Sequence, residues 1–285
     1  MNAETGVACM LRYDLHCHST HSDGLLAPSE LVRRAAQRGV DALALTDHDE
    51  VSGLAEARAH ARELGLRLID GVEISVTWSN LTLHVLGLRV DPECAVLRDG
   101  LATIRVGRTG RARRIGDALA AAGVHEAYEG ARRYVTSERL ISRTHFARFL
   151  VDAGHAREMK DVFRRFLVPG KPGHVAHDWA RLPDAIDWIH AAGGQAVLAH
   201  PGRYKLSATG LRELLAEFRD AGGDGIEVLS PSHSGAQVAE FARKARTFGL
   251  LASAGSDYHG AGESYVDLGD MPPLPAGLTP VWQSW

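Results

Sequence analysis

The sequence predicts an α/β fold whose strands close into a barrel covered by helices, with a helical insertion, and three observations predict it. Short apolar runs of strand length alternate with amphipathic helical segments through most of the 285 residues. The helical segments repeatedly stop at glycine, where a left-handed residue ends a helix without steric cost. Histidines and carboxylates gather where the apolar runs end, and in a barrel of parallel strands those ends share one rim. Neither G-x-G-x-x-G nor G-x-x-x-x-G-K-[ST] follows the first strand, which weakens the open nucleotide-binding sheets as alternatives.

The first strand is expected at residues 11–16, followed by a helix from about Ser29 that stops at Gly39. A second strand covers 42–46. Leu54, Ala57, Ala61 and Leu64 then recur at helical spacing and stop at Gly65, before strands at 68–74 and 81–88. From about 101 to 171 no strand pattern occurs, and helical patterns such as 111–122 and 143–153 take over. This stretch reads as the insertion, dividing the chain into barrel residues 10–100, a cap at 101–175 and barrel residues 176–285. The alternation then resumes. A helix from about Asp184 stops at Gly193 and a strand spans 195–199. Leu211, Leu214, Leu215 and Phe218 form the next helical stripe, ahead of a strand at 226–229. Val238, Phe241, Ala242, Ala245 and Phe248 stop at Gly249, and the last strand spans 251–254.

Composition narrows the function classes. Hydrophobic content of 45% with 24% charged residues excludes a disordered chain. A net charge of −3 argues against a general nucleic-acid coat protein or a membrane-surface binder. The insertion nevertheless carries 15 Lys+Arg against 7 Asp+Glu, or +8, which leaves 17 against 28, or −11, for the rest. Within it, Arg111, Arg113 and Arg114 read as a solvated helix face. Three cysteines far apart, Cys9, Cys17 and Cys94, make neither a disulfide framework nor a C-x-x-C motif, so a reducing, cytoplasmic setting is expected. No signal peptide or membrane span is read.

The chemistry concentrates in a few segments. The first strand runs into Asp14-Leu-His-Cys-His, the second into Thr46-Asp-His-Asp, and the third contains Gly71-Val-Glu. The fourth carries His84, the fifth ends at Ala199-His-Pro, and the last leads to Ser256-Asp-Tyr-His. Residues i and i+2 of a strand face the same side, so His16 and His18 can hold one ion while Cys17 turns away; Asp257 and His259 repeat the device. His16, His18, Asp23, His48, Glu73, His84, His200, Asp257 and His259 give six imidazoles and three carboxylates. That is too many for one ion and suits a cluster with a bridging carboxylate, for which Glu73 is the natural choice. The remaining histidines, His21, His60, His125, His155 and His190, read as structural, while His174 and His177 flank the return from the insertion and stay open. Trp78, Tyr204 and Tyr258 could stack on a base or simply pack.

These segments, together with Leu198-Ala-His-Pro-Gly-Arg-Tyr204 and Gly255-Ser-Asp-Tyr-His-Gly260, resemble the PHP family, named after polymerase and histidinol phosphatase, over residues 11–260. More narrowly the chain is similar to the subgroup of 3',5'-nucleoside bisphosphate phosphatases and 5'-3' exoribonucleases. The subgroup shares an aspartate at position 23, the Arg143-Thr-His-Phe segment and the Pro231-Ser-His-Ser segment. The resemblance implies a distorted (β/α)7 TIM-like barrel and two or three divalent metal ions, with manganese favoured over iron or zinc. It implies His16, His18, Glu73 and Asp257 on the first ion, Glu73, His84 and His200 on the second, and Asp23, His48 and His259 on the third. Asp23 stands where many members carry histidine, which moves the third site towards oxygen ligation.

Three divalent ions against three carboxylates leave a cleft of roughly +3, a trap for phosphate, and phosphate-ester hydrolysis is the matching reaction. His233, on the loop after the sixth strand, is the expected general acid, with His145 as a second candidate. Arg143, His145, Lys171 and Arg203 are the expected substrate contacts, the three cations serving a second phosphate. The expected reaction is removal of the 3'-phosphate from a nucleoside 3',5'-bisphosphate to give the 5'-mononucleotide. The alternatives are a 5'-3' exonuclease on short 5'-phosphorylated oligonucleotides, a histidinol phosphatase, and a degenerate nucleic-acid-binding PHP module without activity. The expected partner is a small nucleotide, with no membrane.

Overall fold

The computed structural model describes residues 11–136 and 140–285. Seven strands form one continuous path: β1 (Tyr13–Asp14), β2 (Ala42–Leu45), β3 (Arg67–Trp78), β4 (Leu81–Leu88), β6 (Gln195–Leu198), β7 (Gly225–Leu229) and β8 (Leu251–Ala254). A short strand, β5 (Ala180–Arg181), adds onto β3 outside that path. The two ends of the path meet, since the Leu15 N–H donates to the Ala254 carbonyl at 3.0 Å and Cys17 bridges Tyr258. The expected barrel is therefore present and nearly closed.

One strand departs from the parallel pattern: β4 runs antiparallel to both β3 and β6. The cause is local. Only Ser79 and Asn80 separate β3 from β4, both with positive φ (47° and 63°), and a two-residue turn of this kind joins antiparallel neighbours only. The reversal has a useful effect, because the N-terminal half of β4, with His84, lies at the rim where its parallel neighbours end.

Helices α1 (Pro28–Gln37), α2 (Leu54–Leu64), α7 (Leu182–Ala191), α8 (Ala208–Asp220) and α9 (Gly235–Phe248) cover the sheet. Gly65 and Gly249 end α2 and α9 with φ of 68° and 67°, the left-handed caps the sequence pattern calls for. The insertion consists of α3 (Ala95–Ala121), α4 (Ala127–Arg132), α5 (Arg143–Asp152) and α6 (Met159–Val162), which runs into a π-helical turn at Phe163–Leu167. It has its own core, in which Ile115, Leu119, Phe146, Leu150 and Leu167 are buried together.

Helix α3 joins the two parts. Leu97, Leu101 and Ile104 pack into the barrel's core, whereas Ala112, Ile115 and Leu119 pack into the insertion's core. The 100/101 boundary expected from sequence thus falls within a continuous 27-residue helix. Between the two stretches, Arg108 and Arg111 are buried while Arg113 and Arg114 are exposed. Arg111 therefore does not belong to a solvated face. Among the described residues no helix is long and apolar enough to cross a membrane.

Candidate metal centre

All nine residues singled out from sequence converge on one rim. His16 and His18 follow β1, His48 follows β2, Glu73 lies on β3 and His84 on β4. His200 follows β6, Asp257 and His259 follow β8, and Asp23 comes from the turn after His18. Two of them hold positive φ, His200 (28°) and Asp257 (49°), as does Asp49 next to His48 (51°). Such strain persists only where the surroundings over-determine it, and it concentrates at functional sites.

Glu73 is the hub. Its Oε1 lies 2.8 Å from His84 Nδ1 and 2.9 Å from His200 Nε2. Its Oε2 lies 3.3 Å from Nε2 of both His16 and His18 and 2.9 Å from His48 Nδ1. Asp257 Oδ1 reaches the same two Nε2 atoms at 3.4 and 3.3 Å. Asp23 Oδ1 is 3.4 Å from His259 Nε2 and 3.7 Å from His48 Nε2. These atoms form four overlapping groups with metal-ligand spacing: His18-Asp23-His48-His259, His16-Glu73-His200, His16-His18-Asp257 and His48-Glu73-His84. His48 belongs to two of them.

The donors fit a cation and little else. His16 Nε2, His18 Nε2, Asp23 Oδ1, His48 Nδ1 and Glu73 Oε2 are buried without a hydrogen-bond partner. Leaving so many polar atoms unpaired in one spot is costly unless an ion joins them. Titration tells the same story. Burial, with His259 and His48 alongside, pushes His18 down to about 3, and burial, despite Glu73, takes His84 down to about 4. Burial also opposes charge on His259, but Asp23 and Asp257 outweigh it and lift that ring to about 9. Burial works against ionisation of Glu73, yet His84, His48 and His16 hold it well below the usual carboxylate range. The ionised carboxylates thus favour protons on His16, His48 and His259 while His18 and His84 stay neutral, and a divalent ion would replace those protons with its own charge.

A ring of supporting residues was not assigned from sequence. Glu227 on β7 is fully buried; its Oε1 accepts from His16 Nδ1 at 2.9 Å, and its other oxygen takes the His200 N–H. This turns His16 Nε2 towards the centre, the usual arrangement of a metal-binding histidine held from behind by a carboxylate. Asp47 accepts from the Ser19 N–H, Ser19 Oγ and Ser22 Oγ at 2.7, 2.6 and 2.5 Å, fixing the turn that carries His18 and Asp23. Asp49 accepts from the Ser75 N–H at 2.7 Å and from Arg108 Nε at 2.6 Å, which ties α3 to the loop of His48. The available signal was an acidic residue inside an apolar run, as in Gly225-Ile-Glu-Val-Leu229.

The expected substrate contacts fare unequally. His233 does not suit the role of general acid. Its Nδ1–H donates to the Val228 carbonyl and its Nε2 accepts from the Gly202 N–H, both at 3.1 Å, so the neutral ring has no free proton. Burial lowers its pKa, consistent with that neutral state. It braces the Pro201–Arg203 turn instead. His145, third residue of α5, accepts the Ser142 N–H at Nδ1 (2.9 Å), which places its proton on a buried Nε2 without a partner. Burial holds this ring neutral, at about 4.

Ser142 caps α5 and donates to Asp23 Oδ2 at 2.9 Å, so Arg143, the first residue of α5, sits close to the rim. Arg203 pairs with the outer oxygen of Asp257. Lys171 is exposed. A cavity of about 600 Å³ opens beside His259 and Arg203, and Lys160, Phe163 and Tyr265 line it, whereas Lys171 does not. Sequence reading missed these three. Tyr258 is buried and the Tyr204 hydroxyl donates to the Ala199 carbonyl, so both pack. A second cavity, about 610 Å³, shares no residue with the metal groups.

A nearly closed αβ barrel carrying overlapping histidine-carboxylate groups on one rim defines a metallohydrolase. The PHP domain model matches residues 14–89. A 3',5'-nucleoside bisphosphate phosphatase of Chromobacterium violaceum is 50% identical over 96% of each chain. The 5'-3' exoribonuclease Rnm of Salmonella typhimurium is 45% identical over 96% of this chain and 93% of its own. A solved structure of an amidohydrolase from Chromobacterium violaceum, with sulfate bound and no metal, superposes with a TM-score of 0.93 at 50% identity, covering 95% of this chain and 94% of that one. The chain belongs to the PHP family.

Proposed function

We propose that the protein is a metal-dependent phosphatase that hydrolyses the 3'-phosphate of nucleoside 3',5'-bisphosphates, such as adenosine 3',5'-bisphosphate, to the 5'-mononucleotide. One observation carries this reading: a rim of orphaned donors centred on Glu73 lies next to a cationic insertion, so one substrate end can meet metal and the other guanidinium. The relative named as a bisphosphate phosphatase supports it.

Two or three divalent ions are part of the reading, manganese first with iron or zinc as alternatives, and the absence of thiolate donors argues for manganese or iron over a structural zinc site. Cys17 donates its thiol to the Ala44 carbonyl, away from the rim. His16, His18, Glu73 and Asp257 would hold one ion, Glu73, His84 and His200 a second, and Asp23, His48 and His259 a third. When bound, such ions lower the pKa of a water and stabilise the charge of an in-line displacement at phosphorus. Glu227 orients His16. Arg203 orients Asp257 and faces the cavity where the ester would lie. The unpaired Nε2–H of His145 serves as a hydrogen-bond donor to a substrate oxygen, and the insertion, residues 101–175, acts as a cap. The unpaired thiols of Cys17 and Cys94 suit the cytoplasm.

A second reading is a 5'-3' exonuclease on short 5'-phosphorylated oligonucleotides, supported by the open cavity with Lys160 at its edge and by the exoribonuclease relatives. A binding module without activity fits poorly, because such modules need not keep nine ligands in place. The test is steady-state hydrolysis of adenosine 3',5'-bisphosphate, 3'-AMP and 5'-phosphorylated oligonucleotides with added manganese. Release of the 3'-phosphate with the highest kcat/KM on the bisphosphate is expected. Faster turnover of the oligonucleotides would move the assignment to the second reading, and no metal-stimulated turnover on any substrate would refute both.

A further inference from the structure

Asp23 and His259 are held in place differently from the residues at the hub. Glu73 pairs with Leu86, and His84 with Ser75, across β3 and β4, so the sheet ladder fixes both. Asp23 sits in the turn after His18 and His259 in the loop beyond β8, and neither belongs to a strand. The two complete one metal group together with His18 and His48.

One side chain of the insertion grips both loops. Arg148 Nε and Nη2 donate to the two oxygens of Glu263, each at 2.7 Å, and Nη2 also donates to the Asp23 carbonyl at 2.6 Å. Next to Glu263, Ser264 Oγ accepts from the N–H groups of His259 and Gly260 at 2.7 and 3.2 Å, and the Ser264 N–H returns to the Gly260 carbonyl at 3.1 Å. A chain of contacts thus runs from α5 to the backbone of both ligands. The Asp23 carboxylate is held from α5 as well, since the Ser142 hydroxyl takes Oδ2 and leaves Oδ1 directed at His259 and His48. Phe146, Ala147 and Leu150 of α5 pack in the insertion's core, so the grip comes from the insertion and not from the barrel.

Arginine is the side chain this position needs. Arg148 is buried, and its planar fork meets a carboxylate with two parallel donors while a further N–H reaches the carbonyl, which a lysine ammonium cannot match from one place. Groups that orient metal ligands from outside govern metal affinity by about 10–100-fold.

We propose that Arg148 is a positioning residue for the ion of the His18-Asp23-His48-His259 group. It sets the separation of Asp23 and His259, directly for the first and through Glu263 and Ser264 for the second. This ion alone therefore depends on how the insertion seats on the barrel. The inference rests on the metal-dependent reading above and not on the identity of the substrate.

Titration of the metal-free protein with manganese tests it, followed by calorimetry and by the electron paramagnetic resonance signal of unbound manganese. Wild type is compared with Arg148→Lys and Glu263→Gln, with Arg164→Lys in the exposed Arg164–Asp161 pair as control. Thermal melting of the metal-free forms checks folding, and Glu263→Gln carries the same prediction from the more exposed end if Arg148→Lys does not fold. Wild type and control are expected to bind three ions. In each variant one ion is expected to bind at least about tenfold more weakly, with the other two unchanged. Asp23→Asn identifies that ion, and adding Arg148→Lys to Asp23→Asn should weaken it no further. Equal weakening of all ions, no weakening, additive losses, or a wild type that takes only two ions would overturn the role of Arg148 while leaving the phosphatase reading to the substrate assay. Selective loss of one ion, in a protein that hydrolyses none of the phosphates, would keep the role and refute the phosphatase reading.

Discussion

The rim and the insertion are incomplete in opposite senses. At the rim, imidazoles and three carboxylates point at one another with buried atoms left unpaired, and what they lack is positive charge. In the insertion, Arg111 and Arg143 stand over aromatic rings, and among the described residues no carboxylate pairs with either, so what they lack is negative charge. Arg108 lies between the two regions and is paired with Asp49 and Ser75 of the barrel. The contrast teaches that imbalance here is local and placed. Asp49 neutralises Arg108, whereas Arg111, three residues on, meets a carbonyl rather than a carboxylate among the described residues.

The largest effect expected from breaking this contrast is at the hub. Glu73→Gln should lower kcat on the order of 10³-fold or more and reduce the metal bound per chain, measured by steady-state assay and elemental analysis. Wild-type metal content and turnover in this variant would mean the rim is not a metal centre. Cutting the link between the regions comes next. Arg108→Ala leaves Asp49 buried without its cation and should cost about 3–5 kcal/mol of stability by denaturant unfolding. A loss below about 1 kcal/mol would show that the insertion is held mainly by its apolar contacts.

The smallest effect lies outside both regions, at the surface pair Arg34–Asp267, where Nε and NH2 donate to the carboxylate at 2.9 and 2.6 Å. Hydrogen bonding to Arg34 lowers the Asp267 pKa, so its contribution is complete above the unfolded carboxylate value and disappears as pH falls through the folded one. Arg34→Ala should therefore cost under about 1 kcal/mol at neutral pH, and the gap from wild type should close in acid. A gap that persisted in acid would assign the effect to the contact of Arg34 with the Tyr258 ring.

Much of the site was legible because its residues are both rare and periodic. Pairs two apart at strand ends, His16 with His18 and Asp257 with His259, announce a shared face before any coordinates exist. The barrel was legible for the same reason, as alternation and glycine stops are local signals. What escaped depends on through-space context. The two-residue turn at Ser79-Asn80, visible in the sequence, reverses β4, but its consequence for sheet direction needs the pairing of β4 with β6. The exposure of an arginine cannot be read from a run such as Arg-Ala-Arg-Arg, where only Arg111 faces inward. His233 looked available because its neighbours Gly202 and Val228, which saturate it, lie 31 and 5 residues away.

The continuity of α3 also constrains how this architecture can vary. The chain enters the insertion without leaving a hydrogen-bonded helix, so each residue added to or removed from its first four turns rotates everything beyond by about 100° and shifts it by about 1.5 Å. One such change between Ala95 and Arg108 would carry Arg108 off Asp49 and swing Arg111 away from Trp179 together. The distance along the helix from the barrel to the cationic face is therefore quantised. It can change by whole turns with compensation elsewhere, but not by single residues, and helical phase acts as the ruler that keeps the two charged regions in register.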